Sequence, residues 1–122
     1  MTILLDHVNV RCSDLNATRQ FFETVVGLTV GDRPDFPFPG YWLYSGDKAV
    51  VHLVHQDLSG LPGGKGTVDH FAFRAGDYAT QKDAISKAGL PSREVGVPGM
   101  PLKQIFVEGP DEVVVELQFV TE

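Results

Sequence analysis

Apolar and polar residues alternate with period two along residues 3–12 and again along 68–75. Such alternation marks a strand with one buried face. After the first run, Asp14 is placed to cap a helix over 15–26, and Gly27 to end it in the left-handed conformation. Extended pieces are predicted at 28–33, 41–45 and 48–56. The second half repeats the order: Asp77 as cap, a helix over 78–88, Gly89 as stop, then extended pieces at 92–96, 103–108 and 112–120. The predicted fold is α+β, with two tandem βαβββ modules in one domain over 1–122. Module 1 is 1–57 and module 2 is 67–122. The glycine- and proline-bearing stretch LSGLPGGKG (58–66) reads as a flexible linker. A sheet with a single helix is thin for an independent core, so the modules should bury their faces against each other.

The halves also repeat at the level of residues. LDHVNVRCSDL (5–15) aligns with VDHFAFRAGDY (68–78), and DKAVVHL (47–53) with DEVVVEL (111–117). His7 thus corresponds to His70, and His52 to Glu116. Residues two apart on a strand share a face. Asn9 and Arg11 therefore fall on the side of His7, and Ala72 and Arg74 on that of His70. Val51 and Leu53 oppose His52, and Val113, Val115, Leu117 and Phe119 oppose Glu116. If the second faces curve together, His7, His52, His70 and Glu116 meet in a cleft. Three imidazoles and a carboxylate suit one divalent cation per site, Zn, Ni, Mn, Co or Fe(II), better than calcium with its all-oxygen shells. A carboxylate amid valines is costly to bury alone, and a cation removes that cost. His55 lies on the other face and its counterpart is Phe119, so it reads as structural.

Composition narrows the function classes. The 122 residues carry a net charge of −6, and their ten Lys and Arg form no run, which argues against nucleic acid. No apolar stretch reaches membrane-spanning length, and no membrane partner is expected. One cysteine, Cys12, permits no internal disulfide, and the start MTILLDH is too short before its first charge for an export signal. Together these point to the cytoplasm.

On these motifs the chain resembles the vicinal oxygen chelate superfamily, which includes glyoxalase I, methylmalonyl-CoA epimerase, and the fosfomycin-resistance, extradiol dioxygenase and bleomycin-resistance proteins. The segments that carry the resemblance are LDHVNVRCSDLNATRQFFETVVGL (5–28), VDHFAFRAGD (68–77) and IFVEGPDEVVVELQF (105–119). The last is similar to the family's closing Phe-x-Asp-Pro-Asp-Gly-x-x-x-Glu-Leu run, with Glu112 where that pattern has Gly. The resemblance implies the glyoxalase/bleomycin-resistance/dihydroxybiphenyl-dioxygenase fold, a metal-binding cup, and a homodimer whose sites draw modules from two subunits. It places His7, His70 and Glu116 at recurrent ligand positions and His52 at the variable fourth.

Three functions follow from that resemblance. The leading one is a metal-dependent isomerase or lyase of the glyoxalase kind, acting on a small substrate that chelates the metal through vicinal oxygens. Glu116 or His52 would be its catalytic base. The second is a small extradiol-type Fe(II) ring-cleaving dioxygenase built on His7, His70 and Glu116. The third is a non-catalytic small-molecule binding protein of the bleomycin-resistance kind. The candidate substrate pocket comprises Asn9, Arg11, Trp42, Arg74, Met100 and Lys103. The proline-rich aromatic loop DRPDFPFPGYWLY (32–44) would wall it, and GVPGMPLKQ (96–104) would form a lid.

Overall fold

The computed structural model describes residues 5–58, 70–97 and 99–121. The proposed linker, apart from Leu58, lies outside them, as do residues 3–4 and 68–69 of the two opening strands.

In module 1, β1 (Val8–Cys12) leads into α1 (Leu15–Phe21) and a π turn over Phe22–Val26. The Asp14 side chain accepts from Ala17 N at 3.0 Å, a cap worth about 1 kcal/mol. Both Gly27 N and Leu28 N donate to Phe22 O, and Gly27 ends the helix at φ 93°. Then come β2 (Thr29–Gly31), β3 (Gly40–Ser45) and β4 (Lys48–His55), giving a sheet of order β1-β4-β3-β2. The parallel β1–β4 ladder begins at Val8 opposite Val51, so residues 5–7 precede the strand rather than lying in it.

Module 2 repeats this as β5 (Phe71–Arg74), α2 (Tyr78–Ala88), β6 (Ser92–Gly96), β7 (Leu102–Glu108) and β8 (Val114–Val120), in the order β5-β8-β7-β6. Asp77 precedes α2 as expected, but its carboxylate takes the Thr80 hydroxyl instead of a backbone N–H. Before β8, a 3₁₀ turn over Pro110–Glu112 sets Asp111 and Glu112 at φ 56° and 60°. The expected strand over 112–120 starts two residues late for this reason.

A single core joins the modules. Cys12, Phe22, Val25, Leu43, Val51 and Leu53 pack in one cluster with Ile85, Ile105, Val107, Val115 and Leu117. The π turn of module 1 packs on α2, Gln81 Nε2 donates to Val25 O, and the Phe22 ring stacks on Phe71. Ser13 N donates to Asp111 Oδ2 across the same junction. Burial of Cys12 pushes its thiol pKa up. Among the described residues no helix is long and apolar enough to cross a membrane.

This packing decides where the chemistry faces. Val51 and Leu53, and likewise Val115 and Leu117, point into the shared core. His52 and Glu116 alternate with them and therefore lie on the opposite faces of their sheets. The sequence-based picture of both faces curving onto one cleft does not hold within a chain, because the helices between the sheets occupy the side on which they approach.

Candidate functional site

The four candidate ligands form two pairs. His7 and His52 stack face to face, with ring centroids 3.9 Å apart and planes 11° from parallel. His70 Nε2 lies 3.0 Å from Glu116 Oε1. Among the described residues no three His, Cys, Asp or Glu side chains come together. The pairs are thus separate within one chain.

In module 1, β1 sets Asn9 opposite His52, and β3 sets Trp42 opposite it on the other side. The Trp42 ring stacks on His52 at 4.0 Å and 10°, making a stack of three rings with His7. His7 Nδ1 lies 2.7 Å from Asp6 Oδ2, and Lys48 donates to the other Asp6 oxygen at 2.7 Å. Those two hydrogen bonds hold the Asp6 carboxyl at about 2. Because a carboxylate only accepts, Nδ1 of His7 is the donor and Nε2 is the nitrogen left for another partner, the arrangement typical of metal-bound imidazoles. His52 Nε2 lies 3.2 Å from Ala49 O, so this ring donates through Nε2 and its lone pair is on Nδ1. Burial, and then the charge that His7 carries when protonated, push the His52 pKa below its ordinary value.

In module 2 the carboxylate is buried, Glu116 being 4% exposed. Its Oε2 accepts from Gln104 Nε2 at 2.9 Å and Gln118 Nε2 at 2.7 Å. Register explains the convergence: Gln104 pairs with Gln118 across β7 and β8, on the face of Glu116. Arg74 donates to Gln118 Oε1 at 3.4 Å, which fixes which end of that amide points at the carboxylate. Hydrogen bonds to a charged group contribute about 1.5–3 kcal/mol each, enough to offset burial of this one. His70 also meets the Phe106 ring edge-on at 5.2 Å.

Of the two pairs, His70 and Glu116 bring their donor atoms together, whereas the His7 and His52 rings stack face to face. The 3.0 Å between His70 Nε2 and Glu116 Oε1 suits two neighbouring ligands of a shared first-row ion. The hydrogen bonds to Asp6, Gln104 and Gln118 are of the kind that orient such ligands.

A pocket of about 150 Å³ opens beside His52. Phe36, Phe38, Trp42 and Val54 wall it, and Asn9, Arg33 and His52 supply its polar groups. Of the expected pocket residues, Asn9 and Trp42 are therefore in it. Arg11 instead reaches Gln56 at 3.5 Å, and Arg74 supports the Glu116 cradle. Met100 is exposed, following Gly99, whose φ is 74°. Lys103 departs from the expectation: it shares a face with the buried Ile105, over the Tyr78 ring and 3.5 Å from Glu94, opposite the side of Glu116. Four contributing residues were not foreseen: Asp6, Arg33, Gln104 and Gln118. For Gln104 the strand alternation held the signal, since it lies two residues from Phe106, the cross-strand partner of Glu116.

Comparison with known proteins agrees with this architecture. The model of the Glyoxalase/Bleomycin resistance protein/Dioxygenase superfamily matches residues 4–117. A probable lactoylglutathione lyase from Synechocystis sp. is 31% identical, the match covering 94% of each protein. A glyoxylase/bleomycin resistance protein/dioxygenase domain from Frankia sp. shares the fold, with a TM-score of 0.79 at 13% identity over 98% of this chain and 99% of that one. So does the fosfomycin resistance protein FosX from Listeria monocytogenes, with a TM-score of 0.76 at 17% identity over 99% and 96%. By its residue pattern, its paired modules and the family match along nearly its whole length, the chain belongs to the glyoxalase/bleomycin resistance protein/dioxygenase superfamily, the vicinal oxygen chelate proteins.

Proposed function

We propose that the protein is a metal-dependent isomerase or lyase acting on a small substrate that presents two neighbouring oxygens. The observation that carries this reading is the buried Glu116 carboxylate, held by Gln104 and Gln118 and facing His70. An apolar or merely structural site has no need of a charge so supported. His7 and His52 complete the ligand set from the other module. Because the two pairs lie on faces turned away from each other, the complete site requires a second copy. In a symmetric homodimer, module 1 of each copy would meet module 2 of the other, giving two equivalent sites. Such a cation acts as a Lewis acid toward the oxygens of a bound substrate.

The residues divide the remaining work. Glu116 already accepts hydrogen bonds on both oxygens, so it acts as a fixed anionic ligand. His52, when off the metal, has its lone pair on Nδ1 and is the better proton acceptor. Asn9 and Trp42 flank it and orient the substrate.

One observation favours ring-cleaving dioxygenase chemistry as the second reading. His52 is tied to Ala49 O and clamped between His7 and Trp42, which suits a residue kept off the metal beside a 2-His-1-carboxylate set.

Elemental analysis of untagged protein, purified with and without air, tests the proposal. We expect about one nickel, zinc, cobalt or manganese ion per chain, lost in His70→Ala and in Glu116→Ala. Full retention in either variant contradicts the site. Iron that is lost or oxidised in air moves the assignment to the dioxygenase. If no metal is bound or taken up on titration, the binding-protein function is left.

A further inference from the structure

We propose that module 1 carries a subsite for an aromatic ring bearing a carboxylate, with Arg33 as the anion-binding residue. The cavity volume of about 150 Å³ is the size of an apolar site that holds a single benzene ring. Its walls are aromatic. Phe36 and Phe38 stack at 5.1 Å, and Phe36 leans on Trp42 at 6.5 Å. Pro34, Pro37 and Pro39 restrict the backbone of this loop, so a ring enters a largely preformed slot.

Arg33 is built into the slot. Its guanidinium lies over the Phe36 and Phe38 rings, 5.0 and 5.1 Å from their centroids, and Nη2 donates to Phe38 O at 2.8 Å. The backbone makes room for it at Gly40. A Cβ there would fall 3.0 Å from Arg33 Nη2 and 2.3 Å from Leu53 O. Asp32 and Asp35 flank Arg33 in sequence, yet the ion pairs found among the described residues do not include it. A guanidinium seated on aromatic faces beside an apolar slot, with no ion pair among the described residues, matches a carboxylate on a planar apolar body. That the other end of such a ligand bears the vicinal oxygens rests on the metal-site reading above; the subsite itself does not.

The test uses a probe with a ring and a carboxylate but no vicinal oxygen pair. Trp42 is the only tryptophan and lines the pocket, so its emission reports occupancy. Full-length protein is titrated with 3-phenylpropanoate and with neutral 3-phenylpropanamide, both as isolated and after chelator treatment. We expect saturable binding of the acid in both metal states, about tenfold tighter than the amide. Arg33→Gln should lose that preference, binding acid and amide alike, with metal content unchanged, while Arg33→Lys keeps part of it. Equal binding of acid and amide to the wild type overturns the proposal. So does an unchanged preference in Arg33→Gln, or no saturable change in emission with either probe. A missing metal site would leave these measurements unchanged, so the two readings fail separately.

Discussion

The modules share a topology but treat the same positions in opposite ways. At the centre of module 1, His52 sits between Asn9 and Trp42 on its neighbouring strands. At the centre of module 2, Glu116 sits between Ala72 and Phe106. His52 is clamped by rings, tied to a single carbonyl and open to a pocket. Glu116 is closed off, with three side chains donating to its two oxygens. A repeated fold thus supplies two different surroundings, one that encloses a carboxylate and one that opens to a pocket.

The largest effect that would sharpen this contrast comes from the cradle. Gln118→Ala removes one donor to Glu116 and the partner of Arg74, and metal affinity should fall about 10–100-fold by competition with a chelator. Trp42→Phe, which alters the open half, should leave that affinity within about threefold. Equal losses would erase the distinction between the halves.

A smaller effect is expected at the turn before β8. Glu112 holds φ 60°, a conformation costing a non-glycine residue about 1–2 kcal/mol. Glu112→Gly relieves that strain, less about 0.4–1 kcal/mol for the freer unfolded chain, and should raise stability by about 0.5–1 kcal/mol in urea unfolding. A loss of stability would mean that the Glu112 side chain contributes more than its backbone costs.

Much of the fold was legible in the sequence because period-two alternation and the Asp and Gly helix signals sit where the elements begin and end. Gly27 and Gly89 both take the left-handed conformation that ends their helices. The shared core follows from the same alternation. What alternation cannot place is a residue just outside a strand: His7 and His70 precede β1 and β5, so their positions depend on how the chain enters the ladder. The equivalence of His7 with His70 and of His52 with Glu116 was legible from the repeat, but their division into His7 with His52 and His70 with Glu116 was not. That the pairs face apart was not, because it depends on the helix layer between the sheets. Arg33 was hidden for a related reason. Its seat needs Gly40 to come close to the Leu53 carbonyl, a contact between strands that no local pattern announces.

The central claim is that each site is shared between two copies, and subunit complementation tests it directly. His7→Ala and Glu116→Ala chains are each purified, mixed under conditions that exchange subunits, and assayed for tightly bound metal. A site built from module 1 of one copy and module 2 of the other is intact once in every mixed dimer. Each parent should then bind no metal, and the random mixture should regain about a quarter of the wild-type content. A mixture that stays as empty as its parents, although sedimentation shows exchanged dimers, would contradict the shared site.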